Sequence, residues 1–395
     1  MKTDITMAYS KPSAIELFRS DVVGVQSTKI WRWGSDNMLP EALSQLSRNC
    51  AIHRRILSDK TDYITGRGFD YDHSLPALQQ VVQQSGLSGQ NLRSVLWRVV
   101  FDKNLFGNGF LEIVVDEKLE SLNLFHQDAS RCRLSRDGAH IVLHHNWRAY
   151  FGIQAKELPL FPRFEWYPDH TYRSIIHYKQ YEPMFENYGL PKYIASLGAV
   201  AIAYKTDRWN ISRLENAFQP SGVMVLDGEV DTKEQAQEIA KTAEKKFAGN
   251  PGQVMFMVKN GIEGDTSKFV PINSSVEGHW RGLHEQAAGD IIVAHSWFRT
   301  LSGIDYSTGF SPDRIQYEYQ IALSTLINVE QQDILDPIKM ALTDLLKVDS
   351  SSLQFINRPP FQYQPKYLKV WEARRADGYD YDPSEEGQNK FLSEI

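Results

Sequence analysis

Residues 188–228 read YGLPKYIASLGAVAIAYKTDRWNISRLENAFQPSGVMVLDG, followed by EVDTKEQAQEIAKTAEKKFAG at 229–249 and NPGQVMFMVKNG at 250–261. Pro191 suits a first helical position. Tyr193, Leu197, Val200, Tyr204, Ile211, Leu214 and Phe218 follow at helical spacing. A helix continuous to Phe218 would be about 40 Å long at 1.5 Å per residue. Gln219-Pro220-Ser221-Gly222 stops it, and Val223–Leu226 reads as a short strand. Asp231 and Glu234 have the form of a capping box, and the helix they open ends at Gly249. Val254–Val258 is a second strand, closed by the turn signal Asn260-Gly261. Beyond Ser275, Trp280, Leu283, Ala287, Ile291, Ala294, Phe298 and Leu301 return to helical spacing. Gly278, Gly282 and Gly289 each cost on the order of 1 kcal/mol relative to Ala, so this helix needs neighbours. A rod leads into a small module and a second rod leads out, with no catalytic or metal motif between them. That is how a protein that builds a shaped object is organised.

Upstream, residues 36–65 read as one helix, with Asp36 or Asn37 as its cap, and Gly66-Arg67-Gly68 ends it. Ser85–Val100 reads as another, closed by FDKNLFGNGF. From Phe110 to Tyr181 the periodicity turns toward two, with strands expected at Leu111–Val115, Ile141–His145 and Ser174–Tyr178. Downstream, Ser311-Pro312 opens a third long helix through Leu335, which Pro337 is expected to break or kink. Residues 348–395 are turn-rich and acidic near GYDYDPSEEGQ, and are expected to be partly mobile. The fold class is α+β.

At 395 residues, with 42% hydrophobic and 23% charged, the chain can bury a substantial core in one to three domains. The net charge of −6 argues against a protein that grips nucleic acid tightly, which presents a basic face. Nine Trp, eighteen Tyr and nineteen Phe suit large cores and subunit interfaces. Cys50 and Cys132 form no CxxC pattern, so neither a disulfide scaffold nor structural zinc is implied. The N-terminus lacks an apolar signal region, and Tyr193–Tyr204 is far short of the roughly 20 residues that span a bilayer. A soluble protein made in the cytoplasm, with no membrane partner, is expected.

Neither a GxGxxG nor a GxxxxGK[ST] phosphate loop occurs, and there is no GxSxG elbow. His284-Glu285 lacks the second His of a zincin, since Ala288 occupies that place and His295 lies about 16 Å further along the helix. His140, His144 and His145 form the local histidine cluster. On one strand, His140 and His144 would be about 13 Å apart, too far to share an ion. Asp128 and Asp137 near Arg131 and Arg133 could be drawn as a carboxylate site, and surface ion pairing explains them as well. No cofactor is expected. A hydrolase or transferase with a site among these histidines and acids stays open as an alternative.

Four stretches resemble the portal (head-to-tail connector) family of tailed bacteriophages. Phe106–Ile113, FGNGFLEI, is similar to its helix-to-strand step of the type LxGNAYIEI. Tyr188–Pro191, YGLP, resembles the start of its long helix, and Asn216–Met224, NAFQPSGVM, the end of that helix without its usual glycine. Phe247–Phe256, FAGNPGQVMF, resembles its Y-x-G-x-x-N-x-G-K-x-x-V-L stretch. The pieces keep their order over roughly residues 90–345.

The resemblance implies a wing at 1–190, a first stem helix at 191–218, a clip at 219–274 and a second stem helix at 275–301. A tunnel loop and following long helix fill 302–347, and 348–395 becomes a C-terminal wing or crown segment, short for a large crown. It implies a non-enzymatic, twelvefold ring at one capsid vertex, in the virion and, during assembly, in the host cytoplasm. Double-stranded DNA would pass without sequence reading. The implied partners are further copies of the chain, the major capsid or scaffolding protein, the terminase large subunit and a head–tail adaptor. Ile304, Asp305, Tyr306, Ser307, Thr308 and Phe310 would face the DNA. Asp227, Glu229, Asp231, Lys233, Lys259 and Glu263 would form the clip docking surface. Another phage head or tail structural protein is the second alternative.

Overall fold

A computed structural model describes residues 29–86, 89–149, 155–215, 222–227, 254–259, 268–271, 279–304, 312–360, 369–376 and 382–391. In chain order the elements are α1 (Leu39–Asn49), α2 (Ala51–Thr65), β1 (Gly68–Asp70), α3 (Pro76–Gln84), α4 (Leu92–Phe106), β2 (Asn108–Asp116) and β3 (Leu122–Gln127). Then come β4 (Cys132–Leu134), β5 (His140–Leu143), β6 (Lys156–Pro159), β7 (Glu165–Tyr167), β8 (Thr171–Lys179), α5 (Leu197–Glu215), β9 (Gly222–Asp227), β10 (Val254–Lys259) and β11 (Lys268–Pro271). The chain continues with α6 (His279–Ala294), α7 (Pro312–Ala322), α8 (Asn328–Leu346), β12 (Gln354–Ile356) and α9 (Val370–Ala376). The fold is α+β, and the chain divides into two compact units.

The first unit comprises Met1–Leu43, Arg55–Pro191 and Trp297–Ile395. It holds an antiparallel sheet of order β3-β2-β8-β7, a second of order β4-β5-β6, and the pair β1-β12. α4 packs on β2 and β3. Its buried Val95, Leu96 and Val99, with Phe110, Leu111, Ile113 and Leu124 of the strands, belong to the core. Burying each such side chain stabilises by about 1.5–3 kcal/mol. Asn91 caps α4, its side chain accepting from the Ser94 N–H at 2.9 Å, and Gly107 closes it in the left-handed region at φ 72°. Buried Glu112 on β2 is compensated by Lys156 Nζ at 2.8 Å, Arg173 Nη1 at 3.0 Å and Gln127 Nε2 at 2.5 Å.

The second unit comprises Ser44–Arg54 and Lys192–Ser296. A 3-10 turn at Lys192–Ser196 leads into α5, which packs on α6. The described strands form a sheet of order β10-β9-β11, with β10 parallel and β11 antiparallel to β9.

Several boundaries differ from the sequence reading. The helix expected over 36–65 is two, broken at Cys50. Asn37 does not cap it: the residue sits at φ 65°, and its Oδ1 accepts from the Trp33 N–H at 3.0 Å and Arg133 Nε at 2.5 Å. The helix expected at Ser85–Val100 starts only at Leu92 and runs on to Phe106, because Ser85 ends α3 in an extended conformation and Asn91 caps α4. The second rod ends at Ala294, short of Leu301, with Ser296 at φ 52°. The first rod begins as a 3-10 turn and is helical to Glu215; residues 216–221 lie outside the described residues. So does the helix expected from Asp231 to Gly249.

The third long helix passes through Pro337 and continues to Leu346. Proline inside a helix costs about 3 kcal/mol. Burial of Ile334, Leu335, Ile338, Ala341 and Leu342 on the same helix outweighs that. The irregularity falls earlier, in a π turn at Leu323–Ile327, where Ser324 and Thr325 both donate to the Ile321 carbonyl.

Candidate functional site

The FGNGFLEI and YGLP stretches meet at one buried junction in the first unit. Asn108, the first residue of β2, is fully buried, and its amide is saturated. Its Nδ2 donates to the carbonyls of Phe106 at 2.9 Å and Gly189 at 2.8 Å. Its Oδ1 accepts from the Gly189 N–H at 2.9 Å and from His177 Nε2 at 2.8 Å. An asparagine side chain offers two donors and two acceptor lone pairs, and all four are used. The two glycines are required by contact. A Cβ on Gly107 would sit 2.4 Å from the Leu190 carbonyl carbon, and one on Gly189 would sit 2.3 Å from the Gln180 oxygen. His177 is held neutral, its pKa pushed down to about 3 by burial and by Lys179. The neutral ring keeps the Nε2–H that Asn108 accepts.

In the second unit the two rods pack through small and branched side chains. Val200, Ala203 and Thr206 of α5 are buried, as are Ala287, Ala288, Ile291 and Ile292 of α6. Both rods also carry apolar residues that the unit leaves uncovered. Ile202, Ile211 and Leu283 are exposed, and Val293 is 77% exposed.

Of the residues expected to face DNA, Ile304 is described. It is half-buried, follows the 3-10 turn Thr300–Ser302, and its N–H donates to the Arg299 carbonyl at 3.1 Å. Asp305, Tyr306, Ser307, Thr308 and Phe310 lie outside the described residues. The flanks of that loop are tied by Glu318 on α7, which accepts from Thr300 Oγ1 on one side and from Arg314 Nε at 3.1 Å on the other. Of the clip residues, Asp227 and Lys259 are Cα partners in the parallel register of β9 and β10. Glu229, Asp231, Lys233 and Glu263 lie outside the described residues.

The histidine and acid cluster of the alternative reading is dispersed. β5 ends at Leu143, so His140 and His144 do not share a strand. His140 pairs with Glu165 at 3.1 Å and Asp137 at 3.5 Å, while the His144 and His145 rings lie 4.6 Å apart. Asp128 caps the 3-10 turn Ala129–Arg131. Arg133 is no surface partner for it: the guanidinium is buried between Trp33 and Trp147, 5.4 and 4.8 Å from the ring centroids. It donates to the carbonyls of Ser130, Cys132 and Asn37 and to Asn37 Oδ1. Burial lowers its pKa to about 10. Among the described residues no group of three or more His, Cys, Asp or Glu is placed to hold a metal ion. No described helix is long and apolar enough to cross a membrane.

The family pattern described as phage portal protein matches residues 70–268, half of the chain, and that span contains the Asn108–Gly189 junction. The chain belongs to the phage portal protein family. Over 148 residues this portal-family chain is 27% identical to the "Probable portal protein" of Haemophilus phage HP1 (strain HP1c1). That match spans 37% of the chain and 43% of the relative's length, less than half of it. Two solved structures are similar to this chain in fold. A chain in the neck of an empty GTA particle computed with C6 symmetry superposes with a TM-score of 0.55 at 17% identity, covering 87% of this chain and 94% of that one. A chain in the virion of a native gene transfer agent (GTA) particle gives a TM-score of 0.53 at 18% identity, with the same coverage.

The junction was half legible. Gly107-Asn108-Gly109 and Gly189 stand out as punctuation, yet nothing in the sequence says that one asparagine side chain joins them. Arg133 was read as an exposed charge, and the tryptophans that bury it sit far from it along the chain.

Proposed function

We propose that this chain assembles into a twelvefold ring at one vertex of a phage capsid, through which double-stranded DNA enters during packaging and leaves at ejection. The observation that carries the reading, beside family membership, is the uncovered apolar surface of the two rods at Ile202, Ile211, Leu283 and Val293. Side chains of this kind gain about 1.5–3 kcal/mol each when buried, and neighbouring copies of the same rods would cover them. In this reading α5 (Leu197–Glu215) and α6 (His279–Ala294) are stem helices, 219–274 is the clip that meets terminase and head–tail adaptors, and 1–190 is wing. The loop containing Ile304, Asp305, Tyr306, Ser307, Thr308 and Phe310 lines the channel and acts on the duplex by bulk and mild repulsion. The role is structural, in the virion, after assembly in the host cytoplasm with capsid or scaffolding protein.

Negative-stain imaging of the purified full-length protein tests the ring. Rings with a central channel are expected, and Val293→Glu is expected to yield single subunits with unchanged secondary structure. A compact monomer of the unaltered protein at micromolar concentration would overturn the reading.

A further inference from the structure

His53 lies in the first turns of α2, and His295 follows the last residue of α6. Both are buried in the second unit, and His53 Nδ1 faces His295 Nε2 at 2.9 Å. The Tyr193 ring, from the 3-10 turn that leads into α5, packs edge-on against His53 at 4.4 Å and stacks on His295 at 4.9 Å. Three segments that are distant in sequence thus meet at two imidazoles and a phenol.

Two ring nitrogens at this distance share one proton. If both carried one, two N–H groups would point at each other. His53 Nε2 is buried with no hydrogen-bond partner among the described residues, so a proton placed there would be an orphaned donor. Both routes to a second proton are therefore blocked while the contact holds. The titratable and charged groups around the pair act in the same direction or not at all. Tyr193 is held un-ionised by burial, and Arg54, the next residue of α2, adds positive charge. Cys50 precedes α2, and burial raises the pKa of its thiol. Asp207 of α5 acts on that thiol and lies 3.6 Å from His284 Nε2 of α6.

We propose that the His53–His295 contact is an acid-released latch: it fastens the start of α2 and the end of α6 to Tyr193 while the pair holds a single shared proton, and opens when a second proton arrives. Burial and Arg54 hold His53 down to about pKa 4, so the latch stays shut at neutral pH and loosens as pH falls below the ordinary histidine value of 6.5. The reading does not depend on ring assembly.

Hydrogen exchange with mass spectrometry on the full-length protein tests it, comparing about pH 7.5 with about pH 4.5 after correction for intrinsic exchange. In the unaltered chain, peptides covering 50–56, 192–198 and 290–296 are expected to exchange at least about tenfold faster at the lower pH, the linkage expected of one depressed histidine. In His53→Phe, which keeps an aromatic ring and cannot titrate, that acceleration is expected to vanish in these peptides. Equal acceleration in the variant, or none in the unaltered chain, overturns the latch. If His53→Phe does not fold, solid-state NMR of the unaltered protein labelled with 15N-histidine decides. Two rings that stay neutral and hydrogen-bonded to each other at about pH 5 support the latch, and two rings titrating independently near the ordinary value overturn it.

Discussion

Asn108 grips the backbone of Gly189 at both ends, accepting its N–H at 2.9 Å and donating to its carbonyl at 2.8 Å. A side chain that pairs with the N–H and C=O of one residue in this way replaces a rung of sheet outside the strands. Asn108→Ala leaves the Gly189 N–H, two carbonyls and His177 without this partner in a buried site. We expect a loss on the order of 2–4 kcal/mol in chemical denaturation. Asn108→Asp keeps the two acceptor contacts but turns a carboxyl toward two carbonyls. Its deficit is expected to grow as pH rises and the group ionises.

Glycine is needed at 189 because backbone occupies the Cβ position, whereas Gly198 in α5 has nothing within 4 Å of that position. Gly189→Ala should abolish soluble expression or unfold at room temperature. Gly198→Ala should raise stability by about 0.5–1 kcal/mol through helix propensity. Similar melting temperatures for the two variants would contradict the steric account.

His177 binds its second proton only at about pH 3 in the folded chain, against 6.5 ordinarily. Its folded pKa is depressed and its neutral form is the favoured one. Its contribution is therefore complete above about pH 6.5 and declines as pH falls toward 3, at about 1.4 kcal/mol per unit. His177→Gln can keep a donor to Asn108 Oδ1 and has no titrating group. Its denaturation midpoint should depend less on pH between about 7 and 4.5 than that of the unaltered chain.

Arg133 is a buried cation satisfied by carbonyls and by Asn37 and flanked by two indoles. Lysine cannot reproduce the planar fork or lie flat between the rings. Arg133→Lys is expected to cost on the order of 2–4 kcal/mol, read as a shift in thermal midpoint, and Arg131→Lys close to nothing.

The strands were legible because Val223–Leu226 and Val254–Val258 are short apolar runs between Gly, Pro and Asn, and Leu111–Val115 follows Gly107-Asn108-Gly109. The rods were legible because Val200, Ala287 and Ile291 recur at helical spacing. What escaped depends on contacts between distant residues. Cys50 breaks a periodic helix without a glycine or proline. Pro337 was read by its local cost, which the burial of Ile334, Leu335 and Ile338 exceeds. The His53–His295 pair joins residues that no spacing rule connects.

The π turn at Leu323–Ile327 carries a consequence for comparing this chain with its relatives. Such a turn holds one residue more than an α-helix of the same rise, and each residue of an α-helix advances the phase by about 100°. An alignment that treats Pro312–Leu346 as one unbroken helix will therefore be out of phase on one side of the turn. Deleting a single residue there, Ser324 for instance, would restore regular phase. It would swing Arg314 and Glu318 about a quarter of the way round the axis, undoing the tie to Thr300. The inserted residue acts as a setting of angle, a rotation stored in the count of residues and absent from their chemistry.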